Sequence, residues 1–345
     1  MKAAEFKKLG DYVKIKTGKL DANASSDDGE YPFFTCSIEP LKISSFSYDC
    51  ECCLVAGNGD LNVKYYNGKF DAYQRTYIIE SLDKEKLDVM YLYFFLCSYI
   101  EVLRNQSIGG VIKYIKLGNL TDALIPIPSL EKQKKICRNL IQAQKVLNEN
   151  QALLSKYDIL IKSRFIEMFG DPVKNTKGWK TKSLQQVAPA KPSKNVFNDK
   201  VWLLNLDMVE SQTGKIIDYL YVNISDTGNS TYQFDEGNVL YSKLRPYLNK
   251  VVIPEQPGIC TSELVPLRPT EKLNRYFLAN LLRTDFFVNF INEKVAGAKM
   301  PRVSMDIFRA FDCILPPIEL QNNFASFIQQ IDKSKFENES EEIAA

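Results

Sequence analysis

Ile125-Pro126-Ile127-Pro128-Ser129-Leu130-Glu131-Lys132-Gln133 ends an apolar strand in proline and opens a helix, and Ile314-Leu315-Pro316-Pro317-Ile318-Glu319-Leu320-Gln321 does the same again. Shifting the numbering by 188 overlays the two stretches. The same shift lays Tyr99, Leu103, Gly109, Leu117 and Ile136 onto Phe287, Ile291, Gly297, Met305 and Phe324. Like-for-like residues recur through an apolar helix, a glycine turn, a strand and a helix start, which is the mark of a duplicated module. Two similar modules imply two similar sites.

Working outward, residues 1–128 read as short strands between Gly, Asn and Asp punctuation: Tyr12–Lys16, Leu54–Ala56, Asn62–Tyr66 and Arg75–Glu80. A helix apolar around most of its circumference follows from about Leu87 to Arg104, suited to burial against a sheet. Residues 129–172 hold a long helix free of Gly and Pro until Gly170-Asp171-Pro172 stops it. Within it Ile136, Leu140, Ala143, Leu147, Asn150, Leu154, Tyr157, Ile161, Arg164 and Met168 follow the alternating four-three spacing of a coiled-coil seam, in which Asn150 and Arg164 are polar. Residues 173–316 repeat the plan, with strands at Val201–Asn205, Val239–Ser242, Val251–Pro254 and Phe311–Leu315 and one helix over about 274–294. Residues 317–345 open a second seam helix through Phe324, Phe327 and Ile331, expected to end near Lys335 before a polar tail.

The fold class expected is therefore α+β: two similar domains separated by long antiparallel helices. Residues 129–177 carry ten basic and five acidic groups, against two and six in residues 317–345, and opposite signs favour antiparallel association weakly.

Composition excludes several kinds of function. With no histidine in 345 residues, neither a Ser-His-Asp nor a Cys-His nucleophile can be assembled. The Gly-Lys pairs at Gly18, Gly68 and Gly214 lack the remaining residues of a phosphate loop, and no Gly-x-Gly-x-x-Gly opens a helix. Cys50-Glu51-Cys52-Cys53 lacks a second cysteine pair at ligand spacing, so it reads as core packing in a strand, and no metal site is expected. Eight cysteines without an export signal read as reduced thiols. The longest apolar stretch, Val89 to Ile100, falls short of the roughly 20 residues that span a bilayer. The N-terminal residues have no apolar core, so the expected location is cytoplasmic, away from membranes. The chain reads as a binder without catalysis of its own.

Beyond the repeat, three segments carry a resemblance. They are Gly68-Lys69-Phe70-Asp71-Ala72-Tyr73-Gln74-Arg75-Thr76-Tyr77, Met168-Phe169-Gly170-Asp171-Pro172 with Gly178-Trp179, and Gly237-Asn238-Val239-Leu240-Tyr241-Ser242-Lys243-Leu244-Arg245-Pro246-Tyr247-Leu248. In this order, with the two proline-to-helix motifs, the chain resembles the specificity subunit of type I restriction-modification enzymes over nearly its whole length. The resemblance implies two target-recognition domains reading the halves of a split, asymmetric sequence in double-stranded DNA. It implies partners: methyltransferase subunits, which bind S-adenosylmethionine, and motor-nuclease restriction subunits, with ATP and Mg on partners and no cofactor on this chain. The alternatives are a recognition subunit of another modification or defence complex, and a coiled-coil scaffold that does not touch DNA.

A helix of about 40 residues is roughly 60 Å long, so as a ruler it would hold the modules at most some 15 to 18 base pairs apart. The short C-terminal helix departs from the family pattern, and a shortened chain or a homodimer supplying the missing surface would explain it. Candidate DNA contacts are turn residues able to meet phosphates or base edges. In module one these are Asn62, Lys64, Tyr65, Tyr66, Gln74, Arg75 and Lys113; in module two, Lys243, Arg245, Tyr247, Lys250, Lys299 and Arg302. The competing expectation is that Tyr65 and Tyr66 alternate into a strand core and that Arg75 and Arg245 form internal ion pairs. Net charge is only +2, so affinity for DNA would rest on local patches or on partners that wrap the duplex.

Overall fold

The computed structural model describes residues 5–197, 199–228, 230–295 and 301–344, with side chains as far as Lys335. It divides into two compact units, Met1–Asn148 and Glu149–Ala345.

The first unit runs β1 (Phe6–Lys8), β2 (Val13–Thr17), β3 (Tyr31–Phe34), β4 (Leu41–Ile43), β5 (Tyr48–Ala56), β6 (Val63–Ala72) and β7 (Thr76–Ser81). Helices α1 (Val89–Gln106) and α2 (Leu117–Thr121) follow, then β8 (Leu124–Pro126) returns antiparallel to β1 and leads into α3 (Leu130–Phe169). One sheet has the order β2-β7-β5-β6-β3-β4. Successive side chains of a strand point to opposite faces, and β5 uses both. Cys53 and Val55 pack with Ile79 under Leu92, Leu96 and Leu103 of α1, whereas Cys52 and Leu54 pack with Phe34, Phe70 and Ile78 on the other face. The cysteine run is thus core packing, with Cys52 and Cys53 fully buried.

The second unit continues with β9 (Thr181–Ser183), α4 (Leu184–Val187), β10 (Lys200–Leu204), β11 (Leu220–Asn223), β12 (Thr231–Phe234), β13 (Val239–Ser242), β14 (Val251–Val252), β15 (Gly258–Thr261) and β16 (Leu264–Leu267). Helices α5 (Arg275–Arg283), α6 (Asp285–Asn292) and α7 (Met305–Ala310) precede β17 (Asp312–Ile314), which pairs antiparallel with β9, and α8 (Ile318–Ala344). The two-faced strand recurs: Val239 and Tyr241 of β13 pack toward the helices, and Leu240 packs with Trp202, Phe234 and Cys260.

Two expectations are corrected here. The single helix over 274–294 is two helices, because Thr284 is extended (φ −61, ψ 142) and its side chain caps the new start by accepting from Phe287 N. The last helix does not stop near Lys335 but continues to Ala344, since its Glu-, Ser- and Asn-rich tail contains no Gly or Pro to break it.

Each module is fastened to the helix that follows it by a buried glutamine. Gln133 is 0% exposed; its Nε2 donates to the carbonyls of Lys86 (2.8 Å) and Pro128 (2.9 Å), and its Oε1 accepts from Asp88 N (3.0 Å). Gln321, also 0% exposed, donates to Lys272 (3.1 Å) and Pro316 (2.8 Å) and accepts from Asn274 N (2.9 Å). Asp88 and Asn274 are the N-caps of α1 and α5, so the same side chain joins two helix starts in both copies.

Within the second unit α3 and α8 run antiparallel. Phe165 and Phe169 each meet Phe324 at 5.5 Å, and farther along Lys335 pairs with Asp158 at 2.7 Å. Ile161, Phe324 and Ile331 are buried in this seam and Phe327 packs against it. Leu154 is half-buried, Ile136 packs instead on the core of module one, and Leu140 and Leu147 are 41% and 37% exposed. At the end of α3, Gly170 adopts φ +74, Asp171 Oδ1 caps Val173 N and Lys174 N, and the Trp179 indole donates to Phe169 O at 3.0 Å. No helix among the described residues is long and apolar enough to cross a membrane.

Candidate nucleic-acid interface

In module one, four loops converge at one end of the sheet. Gly57 N donates to Arg75 O (2.7 Å), Ile115 N to Gly57 O (2.9 Å) and Gly59 N to Lys113 O (2.9 Å), while Asn58 bridges to Tyr114. The loop after β3 joins them: the Cys36 thiol donates to Asn58 Oδ1 (2.9 Å), and Asn62 Nδ2 donates to Cys36 O (2.8 Å). Lys64 reaches Asn62 Oδ1 from β6, and its burial pushes the ammonium pKa down. Asn62, Lys64, Arg75 and Lys113 are therefore gathered at one place, beside exposed Gln74. Arg75 is exposed and forms no ion pair among the described residues, contrary to the internal pairing considered for it.

Tyr65 and Tyr66 do not join this group. Tyr65 faces α1, donates to Glu51 Oε1 at 2.8 Å and meets Tyr93 edge-on at 6.3 Å, and burial pushes its phenol up to about 12. Tyr66 points to the opposite face against Phe34 (5.1 Å) and Phe70 (5.6 Å). Strand alternation divides the pair between two cores.

Module two repeats the backbone of this end with different side chains. Val303 N donates to Lys243 O (2.9 Å), Arg245 N donates to Pro301 O (2.8 Å), and Leu244 bridges to Arg302. These contacts match those of Gly57, Gly59 and Asn58 one for one. Gly59 has φ +70, and Arg245, in the same role, has φ +50, a left-handed conformation that a residue with a Cβ adopts at a cost. Arg245 is exposed and unpaired among the described residues, and Tyr247 beside it is 46% exposed. Arg302 extends to Glu263 at 2.7 Å, so the ion pair considered for Arg245 is formed by its neighbour.

Lys250 turns inward, donating its Nζ to Leu206 O at 2.7 Å, and burial lowers its pKa. Lys243 is half-buried at the base of the loop, with its backbone N on Glu263 O (3.0 Å). Lys299 lies outside the described residues. Sequence reasoning passed over Cys36, Asn58, Tyr114 and Glu263. The first three are small or aromatic loop residues whose convergence is tertiary; the only local signal was the Gly57-Asn58-Gly59-Asp60 turn.

What this end can do follows from its chemistry. It offers guanidinium, amide and ammonium groups on backbone-tied loops, suited to phosphate oxygens and base edges. Among the described residues no group of three Cys, Asp or Glu is placed to hold a metal ion.

Comparison with known proteins agrees with the duplicated architecture. The sequence pattern of the type I restriction modification DNA specificity domain matches twice, over residues 1–154 and 176–345. The chain is 28% identical over 361 aligned positions to the type I restriction enzyme EcoDI specificity subunit of Escherichia coli, covering 94% of this chain and 80% of that one. It is 20% identical to the MjaVIII specificity subunit of Methanocaldococcus jannaschii, covering 95% and 86%. In fold it is similar to the S subunit of a type I restriction-modification system from M. genitalium, with a TM-score of 0.65 at 14% identity over 100% of this chain and 94% of that one. It is also similar to a chain from a structural study of type I R-M complex assembly and conformational transition, with a TM-score of 0.55 at 15% identity over 100% and 95%. With both of its modules matched, the chain belongs to the type I restriction-modification DNA specificity family.

Proposed function

We propose that this protein is the DNA-reading subunit of a cytoplasmic type I restriction-modification complex, in which each module reads one half of a split target. The observation that carries the reading is the pair of matched loop ends. Gly57, Asn58 and Gly59 of module one are replaced by Lys243, Leu244 and Arg245 on the same backbone hydrogen bonds. A scaffold shared by the two modules with exchanged side chains at its open end is what two readers of different half-sites require. The target is accordingly asymmetric.

On this reading Asn62, Lys64, Gln74, Arg75 and Lys113 meet one half-site, and Lys243, Arg245, Tyr247 and Arg302 the other. Catalysis belongs to the partners. Methyltransferase subunits bring S-adenosylmethionine, restriction subunits bring ATP and Mg, and this chain supplies selection of the site. The test is sequencing of methylated adenines in the host genome with and without this gene. Loss of one bipartite, asymmetric motif on deletion is the expected result; an unchanged methylation map in a host that expresses the methyltransferase partners would overturn the assignment.

A further inference from the structure

Between α1 and α2, module one carries a finger whose tip stands out into solvent. Ile108 and Tyr114 exchange both backbone hydrogen bonds (3.0 and 2.9 Å), closing the loop that holds Gly109, Gly110, Val111, Ile112 and Lys113. The base is fixed: Lys113 O accepts from Gly59, Ile115 N donates to Gly57, the Tyr77 hydroxyl donates to Ile115 O at 3.2 Å, and Ile115 is 3% exposed. Gly109 has φ +120, and a Cβ there would stand 2.6 Å from Ile112 O, so only glycine allows the turn. At the tip Val111 is 103% exposed and Ile112 is 62% exposed.

Two β-branched apolar side chains are thus held out into water on a pinned base, leaving apolar surface unburied that folding ordinarily removes from water. Their surroundings favour a polyanion over a protein surface. The only charged side chains from Asn105 to Asn119 are Lys113 and Lys116, and Arg75 stands in the same loop end. Of the nearby carboxylates, Asp60 (3.2 Å) shares Arg104 with Glu101, and Glu39 acts on Lys64, so three acidic groups stand against Lys64, Arg75, Arg104, Lys113 and Lys116. In the duplicated numbering Val111 and Ile112 correspond to Lys299 and Met300, so an adjacent apolar pair is specific to module one.

We propose that Val111 and Ile112 form an apolar wedge pressed into duplex DNA at one base step of the half-site read by module one, with Lys113 and Lys116 on the flanking phosphates. The wedge partly unstacks that step, and sequences that unstack easily there are favoured without a base-specific hydrogen bond. This inference rests on the DNA-reading function proposed above.

The experiment uses the protein assembled with its methyltransferase subunits on duplexes containing the target, with 2-aminopurine placed at successive positions of both half-sites. Emission at the methylated adenine reports extrusion of that base for chemistry and serves as the internal control. The wedge predicts a second emission rise at a neighbouring step in one half-site only. The V111S/I112S double variant should abolish that rise, keep the control signal and bind about tenfold more weakly. Both side chains are exposed, so an unchanged melting temperature accompanies the effect. Full binding and an unaltered emission pattern in the variant would overturn the wedge and leave the specificity reading standing. Weaker binding by the variant, with no second rise in the native complex, would mean contact along a groove wall and would also overturn it. Failure of the native complex to prefer its target over random duplex would overturn the specificity reading first, and the wedge with it.

Discussion

The two modules are alike where they hold themselves together and unlike where they face outward. Pairing of β5 with β7 places Cys53 opposite Ile79 and Val55 opposite Tyr77; pairing of β13 with β16 places Val239 opposite Leu267 and Tyr241 opposite Val265. Between the strands the repeat slips. Leu54 pairs with Lys64, ten positions on, but Leu240 pairs with Val252, twelve positions on, so the open loop of module two is two residues longer. The frame tolerates this because a loop running over the surface adds little closure entropy per residue. The extra length falls at the loop end proposed above to meet the target.

The largest expected effect is a test of likeness. If Gln133 and Gln321 are equivalent fasteners, Gln133→Ala and Gln321→Ala should each cost about 3 kcal/mol. Each strands a buried N–H and two carbonyls and leaves a small cavity. Urea unfolding of the single chain measures both. A cost under about 1 kcal/mol at either site, or a large inequality between them, would break the equivalence and make one glutamine a bystander.

A smaller effect tests a difference. β5 has nine residues, but β13 has only four and starts directly after a turn that needs its own support. Arg268 supplies it, meeting both carboxylate oxygens of Asp235 at 2.8 Å and reaching Asn238 Oδ1 at 3.1 Å, with Asn238 fully buried. The hydrogen bond from Arg268 holds the Asp235 carboxyl below the usual carboxylate range despite partial burial. A depressed folded pKa means that the stabilisation is present above the unfolded value of about 3.9 and is lost as pH falls through the folded value. Asp235→Asn should therefore cost about 2 kcal/mol near neutral pH and progressively less below about pH 4. Equal stability of variant and native protein at neutral pH would show that the short strand needs no such clamp.

How much of this was legible beforehand follows from the same division. The closing motif, the helix starts at Leu130 and Ile318 and the strand at Val239–Ser242 could be read because local periodicity, proline and packing agree there. The break at Thr284 was hidden, since apolar residues continue on both sides and only a threonine cap marks the turn. The continuation of α8 past Lys335 was hidden because seam residues stop before helix-forming residues do. Lys64, Arg75 and Arg245 could be nominated by chemistry and turn position. For Tyr65 and Tyr66 the competing expectation, alternation into a strand core, was on equal footing in the sequence, and it is the covering of both sheet faces that decides for it. The role of Cys36 depends on Asn58 and Asn62 arriving from another hairpin, which no short window contains.

The smallest expected effect on stability bears most directly on reading. Gly59 and Arg245 occupy one backbone position, left-handed in both modules, and only the second carries a side chain. For a residue with a Cβ that conformation costs about 1–2 kcal/mol. Replacing Arg245 with glycine removes the strain but returns about 0.4–1 kcal/mol of chain entropy to the unfolded state. Arg245→Gly should therefore stabilise module two slightly, by about 0.5 kcal/mol, and Gly59→Ala, with open space around its new Cβ, should destabilise module one by a similar amount. Binding should respond asymmetrically. Loss of the Arg245 guanidinium from a base edge or phosphate weakens recognition of the half-site read by module two by about 1–3 kcal/mol, while Gly59→Ala leaves its own half-site nearly unaffected. Paired denaturation and target-binding titrations of the two variants separate the terms. If Arg245→Gly gained stability and kept full affinity and base preference, Arg245 would not be a contact, and the strained position would lose its functional reason.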